Sequence, residues 1–237
     1  VDKFAAFSGI AEHMQTVFMG SPYIAGFFEF ELPMSLLWHV RPSTRPDCIP
    51  RHDCLDFRSP TWSWAATDAP VTCYNGDYAP SMQFASLKGY NLQLVDPDNP
   101  FSQLLWADVN LHAPLLSLKW QKQQIINGRK ETVSQLSEFE YHHLDGHPTI
   151  YFDSLEDYTA EQEGVFFLPI LGDGHVTSGL IVRFVSSGHQ KHRRLRVEEE
   201  EEQEHESIYR RIGMATMYEP EVSDEADSAP KRSLVLI

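Results

Sequence analysis

The spacing of apolar residues changes period once along this chain, and that change limits the possible folds more than any other feature. Phe4, Phe7, Ala11, Met14 and Phe18 recur at alternating steps of three and four within residues 2–19, which lines one face of a helix. Lys3, Glu12, His13 and Gln15 fall largely away from that stripe. Gly20 suits the left-handed residue that ends a helix. Ser21 can cap a second helix, and Pro22 fits its first turn because the missing N–H has no partner there in any case. The second helix is expected from about Tyr23, interrupted at Pro33, with a third short helix through Leu36, Leu37 and Trp38. Residues 1–40 thus read as a helical unit whose face of Phe, Met and Trp needs a covering surface.

Between residues 41 and 60, Pro42, Pro46, Pro50 and Pro60 deny both helix and ladder, so this stretch reads as a Pro-rich linker. Beyond it the period becomes two. Trp62 and Trp64 alternate with Thr61, Ser63 and Ala65, and Leu105, Ala107, Val109 and Leu111 alternate with Trp106, Asp108, Asn110 and His112. Residues 116–120 continue the pattern, and residues 165–171 meet 176–185 across Gly172-Asp173-Gly174-His175, a hairpin-turn composition. The last strand is expected at residues 208–217. Residues 119–140 fit helix or strand plus loop, and residues 186–206 read as a charged insertion in a hairpin. Residues 219–237 read as a mobile acidic tail apart from the apolar run 234–237. The fold class expected is α+β: a short N-terminal helical unit, then an antiparallel β-rich domain over 61–218, arranged as a β-sandwich.

The formal charge of −15 is concentrated in two places. Residues 198–206 hold seven Glu and residues 219–227 hold five acids; setting these twelve aside leaves 22 of 34 acidic residues against 19 Lys and Arg. The body is therefore near neutral. The dense basic cluster Lys191, Arg193, Arg194 and Arg196 is followed at once by five Glu, which cancels the field a phosphate backbone would feel, so no nucleic-acid partner is expected. No apolar run approaches the roughly 18 residues of a membrane span, and no membrane partner is expected. Three cysteines make no disulfide framework, which points to a reducing compartment, the cytoplasm. The chain begins Val1-Asp2-Lys3 with no initiator Met, as a piece of a longer protein would.

Motifs that would carry chemistry are weak. Trp62 and Trp64 could stack a base or sugar, but two tryptophans on one strand face more often anchor a core. Asp68 suits a turn with Ala69-Pro70. Cys48, His52, Cys54 and Cys73 lack the paired close spacings of a zinc site, and His142, His143, Asp145 and His147 lack helical spacing and an attendant glutamate base. No Gly-x-Ser-x-Gly elbow, Cys–His arrangement or phosphate-cradling glycine loop occurs. Asp153 with Glu156 and Asp157 supplies carboxylates whose placement the sequence leaves open. Asp96-Pro97-Asp98-Asn99-Pro100 lacks the glycine and closing glutamate of a calcium loop. The expectation is therefore no catalytic, cofactor-binding or metal-binding residue and no cofactor. The alternative is a sandwich that binds or cleaves a carbohydrate or other small ligand, with Trp62, Trp106 or Trp120 as platform and an acidic pair as acid and base.

An ordered series of patches carries a resemblance. Asp2-Lys3-Phe4-Ala5-Ala6-Phe7-Ser8-Gly9-Ile10-Ala11 is followed by Tyr23-Ile24-Ala25-Gly26-Phe27-Phe28, by Leu36-Leu37-Trp38, and by Ser59-Pro60-Thr61-Trp62-Ser63-Trp64-Ala65-Ala66-Thr67-Asp68. Gly179-Leu180-Ile181-Val182 and Tyr209-Arg210-Arg211-Ile212-Gly213 close the series. In this order the patches resemble the region that follows the HET domain in fungal heterokaryon incompatibility proteins. Three features depart from the pattern: Phe28 stands where a Trp is usual, Ala69 where a Gly is usual, and residues 186–206 are longer. The blocks that mark the HET domain itself do not occur. The resemblance implies an accessory, regulatory or interaction module of a non-self-recognition and cell-death protein that lacks its effector domain. It also implies that residues 1–40 continue, or are a remnant of, that absent domain, and that they meet it or another protein partner.

Overall fold

A computed structural model of the protein describes residues 3–40, 58–73, 82–120, 134–136, 149–154, 157, 164–187 and 207–237. Helix α1, Lys3–Val17, forms where the apolar stripe predicts it, and Met19 and Gly20 at positive φ close it. Where periodicity predicts a second helix, the chain instead makes a hairpin of two short strands, β1 (Tyr23–Ile24) and β2 (Phe27–Phe28). Ala25 at φ 45° and Gly26 at φ 103° form its two-residue turn, whose positive φ pair matches strand twist. Tyr-Ile-Ala-Gly-Phe-Phe is apolar throughout, so its period cannot separate helix from strand; the turn decides. The third helix shrinks to a 3-10 turn, Met34–Leu37, before β3 (His39–Val40), which pairs antiparallel with β4 (Val71–Thr72).

The strand expected at Trp62 and Trp64 is also corrected. Ser63 caps a 3-10 turn, Trp64–Ala66, by accepting from the Ala65 N–H at 3.1 Å, so the alternation there is coincidental.

The rest is sheet: β5 (Met82–Gln83), β6 (Ser86–Leu94), β7 (Leu104–Ala113), β8 (Leu116–Trp120), β9 (Ser134–Leu136), β10 (Thr149–Phe152), β11 (Val165–Gly172), β12 (Thr177–Ser187) and β13 (Ser207–Met217). They are followed by α2 (Pro220–Ser228) and β14 (Arg232–Leu236). The class is α+β. The strands expected to build a sandwich are joined by hydrogen bonds into one ten-stranded sheet in the order β6-β7-β14-β13-β12-β11-β8-β9, with β10 also on β13 and β5 also on β11. Ser187 pairs with Ser207, so the charged insertion leaves from two matched strand ends; residues 188–206 lie outside the described residues.

Residues 219–237 correct the expected tail. Glu221, Asp224 and Asp227 face water, while Val222, Ser223 and Ala226 on the other side of α2 are buried. β14 runs parallel to β13 and antiparallel to β7. A parallel neighbour needs a crossover, and α2 supplies it. Leu234 and Leu236 are sealed in the core, and their burial contributes roughly 1.5–3 kcal/mol each.

Consecutive residues Leu180, Ile181 and Val182 are all fully buried, so the sheet centre is covered on both faces. Leu180 and Val182 share a cluster with Leu36, Leu37, Trp38 and Trp62, whereas Ile181 joins Phe167, Val222 and Ala226 of the α2 side. Residues from the 1–40 unit and from the sheet therefore form one core. The alternation predicted for β7 holds at Ala107, Val109 and Leu111 but fails at Leu105, which is exposed. The register shifts there, with Gln93 opposite Trp106 and Leu94 opposite Leu104, so Leu105 is bulged out and Leu104 takes the core position.

Candidate interaction surface

Arg211 stands on β13 where the strand's outer edge changes partner: β14 covers Ser207 to Tyr209 and β10 covers Gly213 to Thr216. Thr61 fills the break, its Oγ1 accepting from the Arg211 N–H at 3.1 Å while its own N–H donates to the Ile237 carbonyl. The Arg211 side chain is fully buried. Its Nε and Nη2 grip the Asp153 carboxylate at 2.9 and 3.1 Å, Nη1 donates to the Leu36 carbonyl at 2.6 Å, and Nη2 donates to the Trp38 carbonyl. The guanidinium lies 3.5 Å from the Trp38 ring centroid. A buried guanidinium is tolerable only when charge and donors are met together, and here both are.

The network spreads outward from Trp38. Its indole N–H donates to the Trp62 carbonyl at 2.8 Å; Ser63 Oγ donates to the Ala25 carbonyl at 2.7 Å; the Trp64 indole N–H donates to the Gly26 carbonyl at 3.0 Å. A Cβ on Gly26 would sit 2.5 Å from that indole nitrogen, so glycine is required there for approach as well as for φ. Trp64 then receives Phe4 and Phe7 of α1 edge-on, at centroid distances of 6.4 and 5.2 Å, with Lys3 Nζ 5.7 Å from its ring. Lys3 also donates to the Thr67 carbonyl and pairs with Asp68, which Arg58 grips bidentately; Asp68 thus anchors the turn as its sequence context suggests. Burial, opposed by Asp68, lowers the Lys3 pKa. His39 stacks on Tyr151 at 4.3 Å, and burial followed by the Arg211 charge lowers its pKa.

Patches scattered along the sequence thus meet in one place: Phe4, Ala25 and Gly26, Trp38, Trp62 to Trp64, and Arg211. Asp153, the counter-charge, belongs to none of them; the sequence grouped it with Glu156 and Asp157, yet its partner lies 58 residues away. Asp157 is fully buried against Arg210 Nη2 at 3.2 Å and Ser154 Oγ at 2.7 Å, and Glu156 lies outside the described residues. Both described carboxylates are held by guanidinium groups. Trp62 is fully buried and offers no platform. Trp106 is half-buried on β7, while the Trp120 side chain lies outside the described residues. Asp96 to Pro100 form a turn in which Asp96 Oδ1 accepts from the Asp98 N–H. Among the described residues, no group of three or more His, Cys, Asp and Glu is placed to hold a metal ion. Cys73 is exposed; Cys48, His52, Cys54, His142, His143, Asp145 and His147 lie outside the described residues, as does the Lys191 to Arg196 cluster. No helix among the described residues is long and apolar enough to cross a membrane.

The opening helix is only half covered. Phe4 and Ala11 are buried, and Phe18 packs on Phe28 at 4.8 Å and Phe30 at 5.0 Å. The adjoining arc stays open: Phe7 is 45% exposed, Ile10 60% and Val17 57%, with Met14 between them. Steps of three and four connect these residues, and Trp64 at one end and Phe30 at the other extend the band along a helix about 20 Å long. Exposed apolar residues that adjoin in this way, unlike those scattered singly, make the band the candidate surface of this chain. No protein-family model matches the chain, no curated protein is significantly similar to it, and no solved structure matches it significantly.

Proposed function

We propose that this chain is a non-catalytic interaction and regulatory module of a fungal heterokaryon incompatibility protein, working in the cytoplasm and docking a protein partner, in the first place a HET effector domain, along the open arc of α1. The observation that carries this reading is the half-covered helix: one arc is closed by the chain's own hairpin and Trp64, and the adjoining arc exposes Phe7, Ile10 and Val17 with nothing described against it. The convergence of the family-like patches on the Arg211 centre adds support, because it gives those residues a shared physical reason to occur together: they hold α1 at a fixed place on the sheet.

The test uses the full chain with a separately purified HET domain from a fungal incompatibility protein. The chain alone is expected to enhance the fluorescence of an apolar dye, with the enhancement lost on mixing and reduced in the Ile10→Asp/Val17→Asp variant. Amide exchange over α1 is expected to slow in the mixture. A chain that binds no dye, or α1 amides that exchange equally fast with and without the HET domain, would overturn the reading.

A further inference from the structure

The outward face of the β6–β7 pair carries side chains of both strands that lie apart from the Arg211 network. Because Ala107, Val109 and Leu111 enter the core, Trp106, Asp108, Asn110 and His112 share the opposite face of β7, each half-buried. On β6, Gln93 lies opposite Trp106, Asn91 opposite Asp108, and Gly89 opposite Asn110. The face is internally tied: Asn91 Nδ2 donates to Asp108 Oδ1 at 2.7 Å, and the Trp106 indole N–H donates to Asp108 Oδ2 at 3.3 Å. A Cβ built on Gly89 meets nothing within 4 Å, so the position beside Asn110 is open. Lys88, which would otherwise share this face, is the bulged residue between Leu87 and Gly89.

An ordinary solvent face of an antiparallel sheet is polar, but it is typically mobile charge and hydroxyl. Here an indole, a carboxylate and side-chain amides are arranged in a row, and two of the polar groups are held in place before any ligand arrives. Preorganisation of that kind lowers the ordering loss on binding. Amides offer donor and acceptor together, a carboxylate accepts from paired hydroxyls, and an aromatic face takes the C–H side of a ring. A phosphate-bearing ligand is disfavoured, since Asp108 is the charge at the centre and Lys88 is the one cation among the β6 and β7 residues.

We propose that the Trp106–Asp108–Asn110 row, with Asn91, Gln93 and the open position at Gly89, is a carbohydrate-binding site for a neutral oligosaccharide. Trp106 stacks one sugar ring, and Asp108 and Asn91 read the hydroxyls of the next. The site is distinct from the α1 band and stands whether or not that band docks a HET domain.

Calorimetric titration of the full chain with cellohexaose, laminarihexaose and chitohexaose tests it. At least one is expected to bind at one site per chain. Trp106→Ala and Asn91→Ala are each expected to weaken that binding roughly tenfold, the loss of one well-placed contact. Gly89→Leu, which sets a bulky side chain beside the row, is expected to weaken it likewise, and Ile10→Ser on α1 is expected to leave it unchanged. Should Trp106→Ala fail to fold, Asn91→Ala and Gly89→Leu decide alone, since both change an outward-facing position of an edge strand. No binding of any of the three at millimolar concentration overturns the proposal, and so does binding that survives both Asn91→Ala and Gly89→Leu.

Discussion

The centre of this molecule and its opening helix break the usual distribution of polarity in opposite ways. Around Arg211 a full charge is buried, and every donor direction of the guanidinium that the structure describes is answered by Asp153 or by the carbonyls of Leu36 and Trp38. Along α1 an apolar arc is left in water, and nothing described answers it. A violation that the chain resolves internally serves its own architecture. One that it leaves open is where the proposed partner would dock.

Arg211→Met gives the largest effect expected. It strands the Asp153 carboxylate inside the core with two carbonyls deprived of their donor, and a loss of about 3–5 kcal/mol in urea unfolding is expected. The double variant Arg211→Met/Asp153→Leu should recover much of it; a double variant no better than the single one would mean the ion pair is not the unit that matters. Next comes Phe4→Ala, on the covered arc of α1, expected to lower stability by roughly 3 kcal/mol because it empties the space against Trp64.

A smaller effect belongs to His39. Its pKa in the folded protein is lowered, first by burial and then by Arg211, so the unfolded chain binds the proton more readily. Stability from this group is therefore complete above the unfolded value of about 6.5 and declines as pH falls through and below it. Urea unfolding between pH 8 and 5 should show that decline, and His39→Phe, which keeps an aromatic ring on Tyr151, should flatten part of it. If the slope is unchanged, the proton goes elsewhere. Ile10→Ser on the open arc completes the series. Thermal unfolding should place it within about 0.5 kcal/mol of the parent, because the side chain already faces water. A loss comparable to Phe4→Ala would show that the open arc is covered by the chain itself.

Much of the sheet was legible because a half-buried strand must alternate. β7, the β11–β12 hairpin and β13 all stand near their expected places. Three features escaped that logic. Leu105 lies on a bulge, which no period announces. Residues 23–28 are apolar on every side, so their turn is set by Ala25 and Gly26 and by Ser63 donating to the Ala25 carbonyl from far along the chain. The acidic residues of α2 concealed a helix because helices need only one apolar face, and Val222 and Ala226 are enough to dock a helix this short.

The candidate interaction surface was half legible. The stripe of α1 was plain, but which arc of it is covered depends on where Trp64 arrives, and Trp64 is steered by the Ser63 cap and the Gly26 carbonyl. Asp153 and Arg211 could not be paired from spacing, since a buried ion pair between distant strands leaves no local period.

Local apolar spacing fixed α1 and β7, where a long run had to keep one face apolar and the other polar, since that choice depends on near neighbours only. Tertiary structure decided the rest: which tryptophan is core and which lies at a surface, which carboxylate meets which guanidinium, and which arc of α1 stays bare. Each of those outcomes depends on groups brought together from distant parts of the chain, whose mutual burial and charge exist only once the sheet has closed around Arg211.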